Sequence, residues 1–187
     1  MKRQNKSIRI TVMTALFAAM TAALTFYVKI PIHTGYLHIG DSVIYLAACL
    51  LPAPAAMLCG ALGGCLADAL GGYTVYIIPT LIIKGSFAFA FNRKTKKIIA
   101  KRNIIALIIC AAITAAGYFI ADAVILSVSE ASSFDLFKSI LFSPVPWTAA
   151  AYGLVGNLIQ SAASSALFIA LGTALDKIKF KNRLEEI

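Results

Sequence analysis

Charge is scarce in this sequence. Asp, Glu, Lys and Arg together make up 13% of its 187 residues, where a soluble domain carries about 25%. Acidic residues are scarcest, 8 against 17 basic ones. With 60% hydrophobic residues and a mean hydropathy of +0.84, an ordinary soluble fold is excluded and an integral membrane protein is expected. The four cysteines, Cys49, Cys59, Cys65 and Cys110, lie in apolar stretches without a CxxC pair. They read as small buried hydrophobes, not as disulfides or zinc ligands. The two histidines, His33 and His38, show no HExxH or other metal spacing, so no metal is expected. There is no GxSxG and no Ser/His/Asp grouping, so no catalytic residue is nominated and the chain is not read as an enzyme. Nor is there a GxxxxGK[ST] phosphate loop. No cofactor is expected, and any ATP-driven step falls to another chain.

The charges that are present are grouped. Lys2, Arg3, Lys6 and Arg9 open the chain. Arg93, Lys94, Lys96, Lys97, Lys101 and Arg102 stand in its middle, and Lys177, Lys179, Lys181 and Arg183 near its end. Long apolar sequence separates them, which is the positive-inside pattern of a repeatedly threaded membrane protein. A net charge of +9 also suits nucleic acid. These clusters, however, flank apolar spans and have no interleaved aromatics, so they read as topology signals and headgroup contacts. The first apolar run follows a basic tip as in a signal peptide. It lacks a clear A-x-A-like site followed by a soluble domain, and is read as a retained first helix.

A spanning helix needs roughly 20 apolar residues, which leaves room for one all-α domain over 1–187 with six transmembrane helices. They are expected at about 8–28, 40–51, 53–70, 74–91, 104–128 and 147–174. Residues 29–39 read as a loop, Pro79 as a kink in helix 4, and 129–146 as a polar, then amphipathic, segment. An inside N-terminus puts all three basic clusters and both termini on the cytoplasmic side. Ala15, Ala19 and Ala23 recur every four residues on helix 1 and share one face. Such a face admits another helix closely, either within this protein or as a docking face for a partner subunit.

Four ionisable residues interrupt the apolar stretches: Asp41, Asp68, Lys84 and Asp122. Each is a functional-site hypothesis by default. The alternating direction of the helices puts Asp41, Asp68, Tyr118, Asp122, Trp147 and Tyr152 in the outer half of the bundle. Lys84, Asn157 and Gln160 fall nearer its middle. That asymmetry suits a pocket open to the outside better than a continuous ion pathway. The blander alternatives are specific. Asp41 could only cap helix 2, Asp68 could pair with Lys84, Trp147 could only anchor at the interface, and Asn157 and Gln160 could only join helices.

The run His38-Ile39-Gly40-Asp41-Ser42, the stretch Leu66-Ala67-Asp68-Ala69-Leu70-Gly71-Gly72-Tyr73 and the stretch Pro79-Thr80-Leu81-Ile82-Ile83-Lys84-Gly85 carry a resemblance. So do Ala47-Ala48, Leu51-Pro52 and Gly60-Ala61-Leu62-Gly63. Together they resemble the substrate-binding S components of energy-coupling factor (ECF) transporters, nearest the hydroxymethylpyrimidine, pyridoxine and riboflavin branch. The resemblance implies a six-helix protein of the bacterial cell membrane that captures a vitamin-like ligand from outside. It also implies docking through the alanine face of helix 1 onto a T component carried by two ABC-type ATPases. Lys84, Tyr118, Asp122, Trp147, Tyr152, Asn157 and Gln160 are the expected ligand contacts, with Asp41 and Asp68 structural or gating. A self-sufficient secondary transporter or channel is the competing expectation, although no repeat between the halves supports it.

Overall fold

The computed structural model describes residues 2–32, 35–130 and 144–186. Among these residues the α-helices are, in order, α1 (Lys2–Tyr27), α2 (Asp41–Leu50), α3 (Ala53–Gly71), α4 (Ile77–Ser86), α5 (Lys101–Glu130), α6 (Pro144–Lys177) and α7 (Phe180–Glu186). Between α1 and α2, strands β1 (Lys29–Ile32) and β2 (Gly35–His38) pair antiparallel with Lys29 opposite His38. The stretch expected as a loop is therefore a hairpin. The amphipathic segment expected after α5 falls largely outside the described residues, as does His33.

Four of these helices are long and apolar enough to cross a membrane: Lys6–Tyr27, Ala53–Gly71, Lys101–Val128 and Trp147–Lys177. Two further apolar segments, Asp41–Leu50 and Thr74–Phe89, are shorter. The chain is thus a mostly helical, multi-pass membrane protein. A helix of ten residues rises about 15 Å, half the hydrocarbon thickness. α2 tolerates that length because every residue from Asp41 to Cys49 is buried, so bundle and not lipid surrounds it. The second short segment is not one helix over 74–91 as expected. It is α4 between two 3-10 turns, Thr74–Tyr76 and Phe87–Phe89. Pro79 stands in the first turn of α4 and has no N–H for the Val75 carbonyl, which separates α4 from the turn before it.

α3 is bounded by local chemistry. Pro54 sits in its first turn, where a missing N–H costs nothing. Gly72 follows its end at φ 81°, a left-handed conformation glycine adopts freely. Gly72 N then donates to Ala69 O and Tyr73 N to Asp68 O at 2.9 Å, closing a Schellman motif. α3 also lies between α1 and α4 at close range. A Cβ on Gly63 would stand 2.8 Å from the Ala18 carbonyl oxygen, and one on Gly60 would collide with the Lys84 carbonyl.

Tyr45, Phe87, Phe91 and Phe168 fill the centre, with Tyr45 and Phe91 stacked at 5.3 Å. Beyond them the three basic clusters meet at one end of the bundle, where Lys6, Arg9, Arg93 and Lys181 line one hollow. The segment before α5 is tied down there. Asp176 accepts from Ile98 N at 2.8 Å and Ile99 N at 2.9 Å, while Lys181 Nζ donates to the carbonyls of Arg93 and Thr95.

Candidate functional site

A cavity opens toward the other end of the bundle, with about 590 Å³ of unfilled space when its mouth is included. Every layer of the fold contributes to it. α1 supplies Thr21 and Thr25, and β2 supplies Tyr36 and His38. The turn after α3 brings Tyr73 and Tyr76, α3 itself Asp68, and α4 Thr80 and Lys84. α5 adds Tyr118 and Asp122, and α6 adds Asn157 and Gln160.

The floor is an ion pair. Lys84 Nζ donates to Asp41 Oδ2 at 2.8 Å, and Gln160 Nε2 donates to the same oxygen at 3.2 Å. Lys84 does not pair with Asp68. Asp41 is the first residue of α2 but makes no capping bond, so its carboxylate serves Lys84 and Gln160 instead. Lys84 Nζ also lies 5.3 Å from the Tyr118 ring centroid and 5.2 Å from that of Phe87.

The walls are tyrosines held by carboxylates. Tyr36 donates its hydroxyl to Asp68 Oδ1 at 2.6 Å, and Tyr76 donates to Asp122 Oδ1 at 2.7 Å. Burial and the adjacent Asp68 carboxylate push the Tyr36 hydroxyl well above its ordinary pKa, so it stays protonated as a donor. Tyr118 and Thr80 share a hydrogen bond of 3.0 Å. Several buried atoms make no hydrogen bond: Thr21 Oγ1, Thr25 Oγ1 and Asp68 Oδ2 at the cavity, and Asp41 Oδ1 beneath it. Orphaned polar atoms of this kind are rare in a finished interior and mark a place for a ligand or ordered water.

His38 sits at the junction of hairpin and cavity. Its Nδ1 accepts from Gly40 N at 3.1 Å, and Ser164 donates to its carbonyl at 3.4 Å. Burial lowers its pKa from 6.5 to about 4, with the Lys84 charge acting the same way and Asp41 opposing. The ring is neutral at pH 7, with its proton on Nε2.

Of the seven ligand residues expected from sequence, Lys84, Tyr118, Asp122, Asn157 and Gln160 are brought together here. Trp147 packs instead on Phe119 at 5.5 Å between centroids, and Tyr152 is 76% exposed on the outer surface of α6. Of the structural pair, Asp41 lies under the cavity and Asp68 in its wall. Sequence reasoning missed Tyr36, His38, Tyr73 and Tyr76. Their signal was an aromatic density around Gly35 and Gly71-Gly72 that also fits an interfacial belt. On α1, Ala15, Ala19 and Ala23 are exposed, whereas Ala18 and Thr21 face α3.

Comparison with known proteins adds one result. The family model described as ECF-type riboflavin transporter, S component, matches residues 5–177. No curated protein matches the chain.

Proposed function

The chain belongs to the family of ECF-type riboflavin transporter S components, and from that premise we propose that it captures a vitamin or related small flat heterocycle from outside the cell for ATP-driven import. The coarser statement, a substrate-binding membrane subunit of a transporter, follows from membership itself. The observation that carries the finer one is the cavity. It is the place where Lys84, Tyr118, Asp122, Asn157 and Gln160 converge with orphaned hydroxyl and carboxylate oxygens. Aromatic faces suit a planar ring, and the amides and hydroxyls suit its polar edge.

In this reading the chain is one domain that crosses the membrane six times, the short α2 and α4 segments completing the count. Both termini lie in the cytoplasm of a bacterial cell. The convergence of Lys6, Arg9, Arg93 and Lys181 at one end supports that orientation, since the positive end faces inward. The cavity then opens outward. The exposed face of Ala15, Ala19 and Ala23 docks onto a T component carried by two ABC-type ATPases, which alone consume ATP. This chain performs no chemistry on its cargo and needs no cofactor.

Uptake of radiolabelled cargo in cells expressing the chain with and without a T component and ATPases tests the division of labour. Uptake is expected only with all subunits. Uptake that survives loss of the ATPases marks a self-sufficient transporter instead.

A further inference from the structure

The hollow at the basic end of the bundle has about 460 Å³ of unfilled space when its mouth is included. That is the size of a small-molecule site, roughly 300–1,000 Å³. It shares no lining residue with the cavity. Its depth is set by the spans around it. Three candidate spans begin at Lys6, Ala53 and Lys101, and the last ends at Lys177. Lining the hollow are Lys6 itself, Pro52 just before α3, Arg93 between α4 and α5, and Lys181 just after α6. It therefore lies where the apolar spans stop, which is the level of the lipid headgroups.

Three side chains charge this space. Lys6 and Arg9 share one face of α1, and Arg93 comes from the loop before α5. Among the described residues no carboxylate lines the hollow, and none pairs with Lys6, Arg9 or Arg93. Lys181 is already engaged with the Arg93 and Thr95 carbonyls, and its part is to hold the loop in place. Like charges gathered from separate elements repel one another unless an anion joins them. Guanidinium groups suit phosphate in particular, since they bond it in a two-pronged fashion.

The rest of the hollow is apolar. Ile10 and Met13 carry the face of Lys6 and Arg9 one turn deeper along α1, and Leu50 and Leu51 come from the end of α2. A free phosphate would use the cations and leave this side unfilled. A phospholipid uses both, with its charge at the headgroup level and its hydrocarbon below. Basic pockets between transmembrane helices are recurrent sites for anionic headgroups. α1 is also the least buried of the four long spans. A phosphate bridging Lys6 and Arg9 to Arg93 fastens its first turns to the rest of the bundle.

We propose that this hollow binds one anionic phospholipid, its phosphate received by Lys6, Arg9 and Arg93 and the start of an acyl chain lying against Ile10, Met13 and Leu50. The site is separate from the cargo cavity and does not depend on what that cavity holds.

The test is native mass spectrometry of the full-length protein, delipidated in mild detergent and titrated with dioleoylphosphatidylglycerol or dioleoylphosphatidylcholine. The two lipids share their chains and differ in net charge. One phosphatidylglycerol is expected to bind, at least about tenfold tighter than phosphatidylcholine. Arg9→Gln and Arg93→Gln are each expected to weaken it by about fivefold or more. Arg102 is exposed at the start of α5 and does not line the hollow. Arg102→Gln removes the same charge and is expected to change the affinity by less than about twofold. Equal affinity for the two lipids overturns the proposal and leaves the hollow to an acidic segment of a partner chain. Equal losses in Arg93→Gln and Arg102→Gln mean general attraction to a basic surface and also overturn it. Displacement of the lipid by millimolar inorganic phosphate does the same, by marking a free-anion site. If Arg9→Gln does not fold, Arg93→Gln, at an exposed loop side chain, decides against Arg102→Gln.

Discussion

Lys84 of α4 and Asp41 of α2 meet at 2.8 Å with side chains 2% and 0% exposed. The two helices so joined are the ones too short to cross a bilayer alone. The pair thus sits where two half-length segments are held inside the bundle, and Gln160 of α6 ties a full-length helix to the same oxygen. A buried ion pair adds little net stability over an apolar packing, but breaking one side of it costs about 3–5 kcal/mol.

Lys84→Met is therefore expected to lower the unfolding temperature and to abolish tight ligand binding. Adding Asp41→Asn removes the stranded charge and restores most of the thermal stability, but not the binding. Thermal unfolding and titration of both proteins check this. A single variant that unfolds normally and binds normally contradicts it.

The alanine face gives a separable prediction. Ala19 is exposed on α1, away from the cavity. Ala19→Leu leaves folding and ligand affinity unchanged and prevents close approach of another helix. Co-purification with the T component, and uptake with it, are expected to fall by an order of magnitude or more, roughly the loss of one packed contact of 1–3 kcal/mol. Undiminished co-purification points to docking through another face.

Two tyrosines make a matched comparison. Tyr118 lines the cavity and bonds Thr80, while Tyr152 is 76% exposed. Tyr118→Ala is expected to weaken ligand binding by about 1.5–3 kcal/mol, the range for a buried aromatic contact. Tyr152→Ala is expected to leave it unchanged. Titration of the two variants against wild type reads the contrast directly.

The His38 environment sets a pH dependence. Its folded-state pKa, about 4, is below the unfolded 6.5, so between these values the folded form binds fewer protons. Its contribution to stability is fully present above about pH 6.5 and is lost as pH falls toward 4. Thermal unfolding measured from pH 7.5 to 4.5 is expected to show a falling midpoint, and His38→Gln a flatter profile. A wild-type midpoint that rises on acidification over that window contradicts the assignment.

Much of this was legible in the sequence because membrane topology constrains depth. Charge clusters mark the ends of the helices, and counting alternate crossings groups Asp68, Tyr118 and Asp122 toward one end of the bundle; all three line the cavity. Rotation about a helix axis is a different quantity. Tyr152 and Asn157 are about 7.5 Å apart along α6 and about 140° apart around it, and one is exposed while the other lines the cavity. An all-apolar environment leaves little periodicity to reveal that angle. Partner choice was also hidden, since Lys84 could reach either Asp68 or Asp41 and packing decided for Asp41. The hairpin escaped notice because strands of four residues carry little alternation.

The most direct test of the account is to ask what the protein carries. Purified from cells grown in rich medium, then denatured, it should release one enriched small heterocycle detectable by mass spectrometry, because nanomolar binding survives purification. An empty protein that also shows no thermal shift across a panel of vitamins would contradict the assignment of this cavity as a cargo site.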